Sequence, residues 1–142
     1  MTTLDASALA SIFIEDAHSP TVRAWLRVQS SAPAVSSFAA AEFAAVVGRR
    51  LRMRLLPRDA AASLLAVFDT WLAAEAEAVD VVPEDHHVAA TFVRRFDLGL
   101  RLPDALHLAV ALRLGLELLT FDARQAAAAR ALGVACDPAS AA

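Results

Sequence analysis

The sequence predicts an α/β domain in which a parallel central sheet of about five short strands is flanked by helices on both faces. Three observations lead to this prediction. Short β-type runs alternate with helical stretches along the whole chain. Successive strands are separated by one or two helices, which is the spacing of crossovers between parallel strands. The length of 142 residues suits a single hydrophobic core, because a chain of this size buries roughly 70% of its unfolded surface.

Helix-start and turn signals divide the N-terminal half of the chain. Pro20 stands at the first position of a helix, where its missing N–H is not needed. The turn cluster Ser30–Pro33 precedes a strand. Apolar side chains from Leu64 to Leu72 recur every three or four residues, which indicates a helix with one buried face. The expected elements are strands at Thr2–Asp5 and Ala34–Ser36, and helices at Ala8–Glu15, Ser19–Gln29, Phe38–Leu55 and Pro57–Glu77.

Glycine and proline mark the element ends in the C-terminal half. Pro83 closes a strand, and Gly115 and Gly133 follow helical runs that they are placed to end. One domain is expected over residues 1–136, followed by a disordered tail at 137–142. The expected elements are strands at Ala78–Val82, Glu117–Phe121 and Val134–Cys136, and helices at Glu84–Phe96, Pro103–Leu114 and Ala123–Leu132.

Composition indicates a cytoplasmic globular protein. The chain is 58% hydrophobic with a mean hydropathy of +0.49, yet no apolar run approaches the roughly 18 residues of a membrane helix. Acidic residues at Asp5, Glu15 and Asp16 are unlike the basic start of a secretory signal. The single cysteine, Cys136, is incompatible with an internal disulfide framework. We expect no membrane association.

The basic residues exclude several classes of enzyme. All 13 are arginine, and the chain has no lysine. A P-loop needs a lysine on the phosphates, a protein kinase needs one for its nucleotide, and a Schiff-base enzyme needs one as its nucleophile. The net charge of -3 argues weakly against binding of nucleic acid.

Four acidic residues are candidates for a site, and each also has a purely structural interpretation. Asp5 and Asp122 follow strands and precede helices, where an aspartate cap is worth about 1 kcal/mol. Asp104 opens an apolar helix whose dipole it would complement for about 0.3–1 kcal/mol, although we expect it to be buried with that helix. Glu42 shares a face with small apolar residues and needs a cation or partner there. Its structural alternative is pairing with Arg49 or Arg50.

Their positions together favour function. The carboxyl ends of parallel strands meet at one edge of a sheet, where ligands gather near the switch in strand order. Asp5 and Asp122 follow such strand ends, and Asp104 begins a helix at the same edge. Carboxylates within about 4–6 Å repel unless a cation neutralises them. Oxygen-only ligands suit Mg²⁺ or Mn²⁺ rather than zinc. His107, one turn after Asp104, is either its supporting partner or a hydrogen-bonded packing residue.

The order of these residues resembles the PIN domain, and most of all the small VapC-type toxins of bacterial toxin–antitoxin pairs. The resemblance rests on Asp5-Ala6-Ser7 after the first strand, Glu42 on the third helix, and the DALHLA run from Asp104. Thr120-Phe121-Asp122 completes it at the end of a later strand. It covers the chain from Thr3 to Val134.

The resemblance implies a Mg²⁺- or Mn²⁺-dependent ribonuclease. It assigns catalysis to Asp5, Glu42, Asp104 and Asp122, with metal contacts from Asp5, Asp104 and Asp122. Glu42 would bind a second metal or orient the attacking water. Ser7 and Thr120 match hydroxyl positions that support the acids. The resemblance also implies a homodimer and a cognate antitoxin, with Phe68 and Trp71 as interface candidates if the core does not contain them.

One dense basic cluster is a candidate surface for RNA. It follows Glu42 on the same predicted helix and consists of Arg49, Arg50, Arg52 and Arg54. Phosphate contacts supply most sequence-independent affinity for nucleic acid, so this helix would guide RNA toward the acids. The alternatives are a solvated face or a docking surface for an acidic partner segment.

Two other functions remain open from the sequence. A non-catalytic interaction module would keep the fold and act by binding. An aspartate-based phosphotransfer domain, such as a receiver or a haloacid-dehalogenase-like phosphatase, would need a lysine near its acids. The latter class would also need a second aspartate where this chain has Ser7.

Overall fold

A computed structural model describes residues 1–140, in which strands and helices alternate. No helix in this range is long and apolar enough to cross a membrane. The elements are, in order, β1 (Thr2–Leu4), α1 (Ala6–Phe13), α2 (Ser19–Val28), β2 (Ala34–Ser36), α3 (Ser37–Arg52), α4 (Arg58–Glu75), β3 (Glu77–Val79), α5 (Pro83–Val93), a 3₁₀ turn (Phe96–Leu98), α6 (Leu102–Leu114), β4 (Glu117–Leu119) and α7 (Ala123–Ala131).

The strands form one parallel sheet in the order β3-β2-β1-β4. From β1 the chain adds β2 and β3 on one side and then returns to place β4 on the other. The switch in strand order therefore lies between β1 and β4. Open parallel sheets bind ligands beyond the carboxyl ends of strands at such a switch, and Asp5 and Thr120 follow the two strands there.

The predicted fifth strand is reduced to one bridge. Within the described residues, the segment 134–136 joins the sheet only through a parallel bridge between Leu118 and Cys136. It does not extend because the chain turns inward at Asp137, whose carboxylate accepts hydrogen bonds from Trp25 Nε1 at 2.8 Å and Thr2 Oγ1 at 3.2 Å.

The predicted disordered tail is wrong for residues 137–140. Asp137 is buried, and Ser140 bonds the backbone of β4 and its extension. Its hydroxyl donates to the Leu118 carbonyl at 2.9 Å and accepts from the Thr120 amide at 3.1 Å. Polar side chains here satisfy backbone groups that the missing fifth strand would otherwise have paired. Residues 141–142 lie outside the described range.

Helices cover both faces of the sheet, as predicted. Leu4, Val35 and Leu119 belong to one core cluster with the apolar faces of α1 to α4. Leu118 belongs to a second cluster with α5, α6 and α7. Neighbours Leu118 and Leu119 point to opposite faces because successive side chains of a strand alternate. Val22 and Trp25 of α2 are buried in the first of these clusters.

An aromatic cluster fixes the rotation of α3. Phe43 is fully buried, with its ring centroid 4.3 Å from that of Phe68 and 5.4 Å from that of Phe13. Phe13 also packs edge-on against Trp71 at 5.3 Å. Because Phe43 faces this core, the preceding residue, Glu42, projects from a different side of the helix.

Candidate active site

The structure brings the four predicted acids into one cleft at the carboxyl edge of the sheet. The cleft has a volume of about 230 Å³. The acids come from four places in the chain: the end of β1, the second turn of α3, the first turn of α6 and the start of α7. The side chains lining the cleft include Asp5, Ser7, Glu42, Arg101, Asp104, His107, Asp122 and Gln125.

Asp5 is the most deeply buried of the four acids, with 4% of its surface exposed. It caps α1 by accepting a hydrogen bond from the Ala8 amide at 2.7 Å, and the Ser7 hydroxyl donates to the same carboxylate oxygen at 2.8 Å. Burial raises the pKa of Asp5, although hydrogen bonds from Ala8, Thr120 and Ser7 and the charge of His107 act in the opposite direction. The carboxylate form therefore needs a positive charge that the protein does not fully supply.

Thr120 connects Asp5 to a buried glutamine. Its hydroxyl lies 2.5 Å from Asp5 Oδ2 and 2.9 Å from Gln125 Oε1. The Gln125 amide is oriented by its Nε2, which donates to the backbone carbonyl of Asp104 at 3.3 Å. The hydroxyl is the donor in both contacts, and its one proton can be given either to Asp5 or to Gln125. Thr120 is neutral and so supplies no positive charge to balance the Asp5 carboxylate.

Glu42 is held by His107. Nε2 of His107 donates to Glu42 Oε2 at 2.7 Å, and the imidazole is buried against the ring of Phe38. Of the two roles expected for His107, these contacts agree with a hydrogen-bonded packing residue and not with a partner of Asp104. His107 lies one turn along α6, where its side chain faces α3 rather than the first turn of its own helix. Glu42 also pairs with neither Arg49 nor Arg50 in the described contacts.

Replacing His107 with phenylalanine should lower the RNA cleavage that the resemblance implies by about 10- to 100-fold, the usual cost of losing a partner that orients a side chain of a metal site. The ring keeps the packing against Phe38, but the hydrogen bond to Glu42 is lost. Initial cleavage rates would measure the effect. His87→Phe, on the exposed side of α5, is the matched control. Equal rates for His107→Phe and the control would show that Glu42 does not depend on His107.

Asp104 is more exposed than the sequence analysis predicted. Residues Ala105 to Ala111 are buried, but α6 begins beyond the sheet edge and its first turn opens to the cleft. The Asp104 side chain is 16% exposed, and Oδ2 accepts from Nε of Arg101 at 3.2 Å. Asp104 is therefore partly rather than fully buried with its helix, and Asp5 is the acid that most needs a counter-charge.

Asp122 caps α7 and also lines the cleft. Its Oδ1 accepts hydrogen bonds from the amides of Arg124 at 2.8 Å and Gln125 at 3.1 Å. These two bonds occupy one carboxylate oxygen. The structural and functional interpretations of Asp122 are therefore compatible.

The residues fit a hard divalent cation in donor type and location. Four carboxylates from separate elements share one cleft, and the most buried of them has a raised pKa. Within residues 1–140, however, no three His, Cys, Asp or Glu side chains are already arranged as a ligand set. Arg101 and His107 hold two of the carboxylates instead. Binding of a cation therefore requires these side chains to rotate.

Sequence reasoning missed Arg101 and Gln125. Gln125 follows the capping residue Asp122 by three positions, where a glutamine is common at a helix start, but this spacing does not reveal that its side chain is buried. Arg101 stands three residues before Asp104, a spacing that could have suggested an ion pair.

The predicted basic cluster lies away from the cleft lining. Arg49, Arg50 and Arg52 are in the last turns of α3, and Arg54 follows the helix. Arg50 lines a different, largely apolar groove together with Phe13, Leu56 and Leu64. The arginine that lines the carboxylate cleft is Arg101.

Comparison with known proteins gives a consistent result for the fold. A model of the PIN domain matches residues 2–131. No curated relative matches the chain. VapC20 of Mycobacterium tuberculosis, described as a sarcin–ricin loop cleaving toxin, aligns with a TM-score of 0.72 at 21% identity, covering 90% of this chain and 95% of that one.

Two solved complexes are also similar. A toxin–antitoxin complex from Klebsiella pneumoniae aligns with a TM-score of 0.66 at 18% identity, covering 100% of this chain and 97% of that one. VapBC2 from Rickettsia felis, bound to a DNA fragment from its promoter, aligns with a TM-score of 0.70 at 13% identity and covers 95% of each chain. At these identities the likeness concerns the fold. The family match, however, spans nearly the whole chain, and the protein therefore belongs to the PIN domain family.

Proposed function

We propose that this PIN-domain protein is a divalent-metal-dependent ribonuclease and acts in the cytoplasm as the toxin of a toxin–antitoxin pair. The observation that carries the proposal is the convergence of four carboxylates from four elements on one cleft, with a buried Asp5 that lacks a full counter-charge. Similarity to solved VapC toxins and toxin–antitoxin complexes supports the biological role.

The roles of the acids follow from their surroundings. Asp5, Asp104 and Asp122 would hold Mg²⁺ or Mn²⁺. When bound, such an ion polarises a phosphate oxygen and lowers the pKa of water. Glu42 is suited to orient the attacking water. His107 holds Oε2 of Glu42, and this contact also fixes the direction of the other carboxylate oxygen. Ser7 and Thr120 fix the two oxygens of Asp5.

The arginines divide into two proposed surfaces. Arg101, which lines the cleft, would contact the RNA backbone. For Arg49, Arg50, Arg52 and Arg54, the proposal is contact with RNA or with a cognate antitoxin. Arg50 lines an apolar groove of about 630 Å³, which favours a protein partner for this cluster.

A homodimer is also proposed, on the family resemblance. Of the two residues expected at the dimer interface, Phe68 is buried in the core with 3% exposure, so it is not available to a partner. Trp71 is partly buried against the same core.

Removal and return of metal tests the function. Purified protein incubated with structured RNA should cleave it in Mg²⁺ or Mn²⁺, stop when a chelator is added in excess, and recover when the metal is restored. Cleavage that persists in the chelator would contradict a metal-dependent mechanism. Tight RNA binding without cleavage in either metal would instead identify a binding module.

A further inference from the structure

Phe96 is the most exposed large apolar side chain in the described part of the chain, at 88%. It lies in the 3₁₀ turn between α5 and α6. The turn is fixed on the domain, because Leu98 packs against the second core cluster and Leu100 is buried. Arg95 holds Asp97 through two hydrogen bonds of 2.9 and 2.8 Å. A fixed turn thus presents an aromatic ring to solvent.

The turn lies beside the carboxylate cleft. Gly99, which ends the turn in a left-handed conformation, packs against the start of α7, and a Cβ at Gly99 would lie 3.7 Å from Cδ of Arg124. The chain then continues to Arg101, which lines the cleft and contacts Asp104. Phe96 does not line the cleft itself, but its turn leads into Arg101 and Asp104, which form one side of the cleft.

Exposed arginines lie near Phe96 in the chain, together with Asp97, which Arg95 holds. Arg94, Arg95 and Arg101 are exposed within five positions of Phe96, and Arg124 is exposed on the adjoining start of α7. Charged residues are depleted at the centre of protein–protein interfaces. An aromatic face among arginines is instead typical of surfaces that bind single-stranded nucleic acid, where bases stack on rings and arginines follow the backbone.

We propose that Phe96 is a stacking platform for an unpaired RNA base next to the cleft, with Arg101 and Arg124 contacting the adjacent backbone. The inference rests on the proposed ribonuclease function and names a side chain that would bind the RNA outside the carboxylate cleft. Phe96 touches the substrate away from the reacting atoms, so it acts in binding and positioning rather than in the chemical step.

Binding of a short single-stranded RNA, measured in excess chelator so that it stays intact, tests the proposal. Phe96→Ala and Phe96→Leu should each weaken binding by roughly 5- to 100-fold, the loss expected for one stacked base. Phe96→Trp should bind at least as well as the unchanged protein. The salt dependence should stay the same, because no phosphate contact is removed. Val28→Ala, which shortens a side chain of 78% exposure, is the control and should bind normally.

Leucine separates stacking from simple apolar contact. Normal binding of single-stranded RNA by Phe96→Leu would overturn the proposal, as would an equal loss on fully paired RNA. A change in the mass of the protein in solution for Phe96→Ala, with RNA binding retained, would assign the ring to a protein interface and also overturn it. Cleavage by the unchanged protein in Mn²⁺ is assayed separately, so absence of the ribonuclease activity itself is distinguishable from failure at Phe96.

Discussion

Replacing Asp5 with asparagine is expected to lower metal-dependent RNA cleavage by about 10³-fold, since a bound metal contributes several kcal/mol to transition-state stabilisation and about 1.4 kcal/mol corresponds to tenfold in rate. Asp5 is the most buried of the four acids, and its raised pKa marks a charge that burial disfavours. An amide has the same shape but cannot supply the negative charge that a divalent cation requires.

The same substitution should not destabilise the metal-free protein at neutral pH. The amide oxygen can still accept from Ala8 and Ser7, and the amide nitrogen can donate to Thr120, whose hydroxyl then donates to Gln125. The raised pKa of Asp5 means that the folded state favours the protonated form. The protonated carboxyl therefore stabilises the folded state at low pH, and this stabilisation is lost as the pH rises through the raised pKa. An amide stays neutral at every pH, so Asp5→Asn does not lose stability in this way.

Parallel measurement of activity and thermal unfolding separates these effects. Asp69→Asn, an exposed acid on α4, is the matched control and should leave both unchanged. Cleavage by Asp5→Asn at the rate of the control would mean that Asp5 does not take part in the reaction. A large fall in Tm for Asp5→Asn would mean that the carboxylate has a structural role instead.

Replacing Asp85 with alanine should lower the free energy of unfolding by roughly 1.5–3 kcal/mol, as expected when charge-assisted hydrogen bonds to a buried carboxylate are removed. Asp85 is 1% exposed and binds Arg113 on α6 through both carboxylate oxygens, at 2.7 and 2.9 Å. It also accepts from the Val82 amide at 2.9 Å, where α5 begins. The pair joins α5 to the helix that carries Asp104 and His107.

The effect should depend on pH in a defined direction. Burial acts to raise the pKa of Asp85, but the hydrogen bonds from Arg113 and Val82 and the charge of Arg113 outweigh it and leave the pKa lowered. The stability from this carboxylate is therefore present above its ordinary pKa and is lost as the pH falls through the lowered value. The difference in the free energy of unfolding between the unchanged protein and Asp85→Ala should therefore become smaller at acidic pH.

Urea unfolding at neutral and at acidic pH measures both the loss of stability and its dependence on pH. Glu84→Ala is the matched control, because Glu84 precedes Asp85 on α5 and its side chain is 73% exposed. The control should change stability by less than about 0.5 kcal/mol, as most exposed substitutions do. If Asp85→Ala behaved like the control, the ion pair would make no net contribution.

Much of the fold could be predicted from local sequence. Pro20 starts a helix, and Gly115 and Gly133 end two others with positive φ, as their positions indicate. The convergence of Asp5 and Asp122 could be expected because both follow strands that a parallel sheet aligns. The length of the fifth strand could not be predicted from local sequence. It depends on hydrogen bonds to Asp137 from Trp25 and Thr2, which are distant from it in the chain.

The side-chain partners in the cleft could not be predicted. His107 binds Glu42 because the fold brings these two side chains of α6 and α3 together, and no local pattern encodes that meeting. The burial of Gln125 likewise depends on Thr120 and Asp104 meeting it from other elements. Asp104 was expected to be buried because its helix is apolar, but the packing leaves the first turn of α6 open to the cleft.

The central claim is that the acids act together by holding a divalent cation, and calorimetric titration of Mn²⁺ into the metal-free protein tests it most directly. The unchanged protein and Asp69→Asn should bind Mn²⁺ with the same affinity, and Asp5→Asn should show no saturable binding in the same range. Equal binding by all three proteins, or saturable binding by none of them, would contradict a metal site built on Asp5.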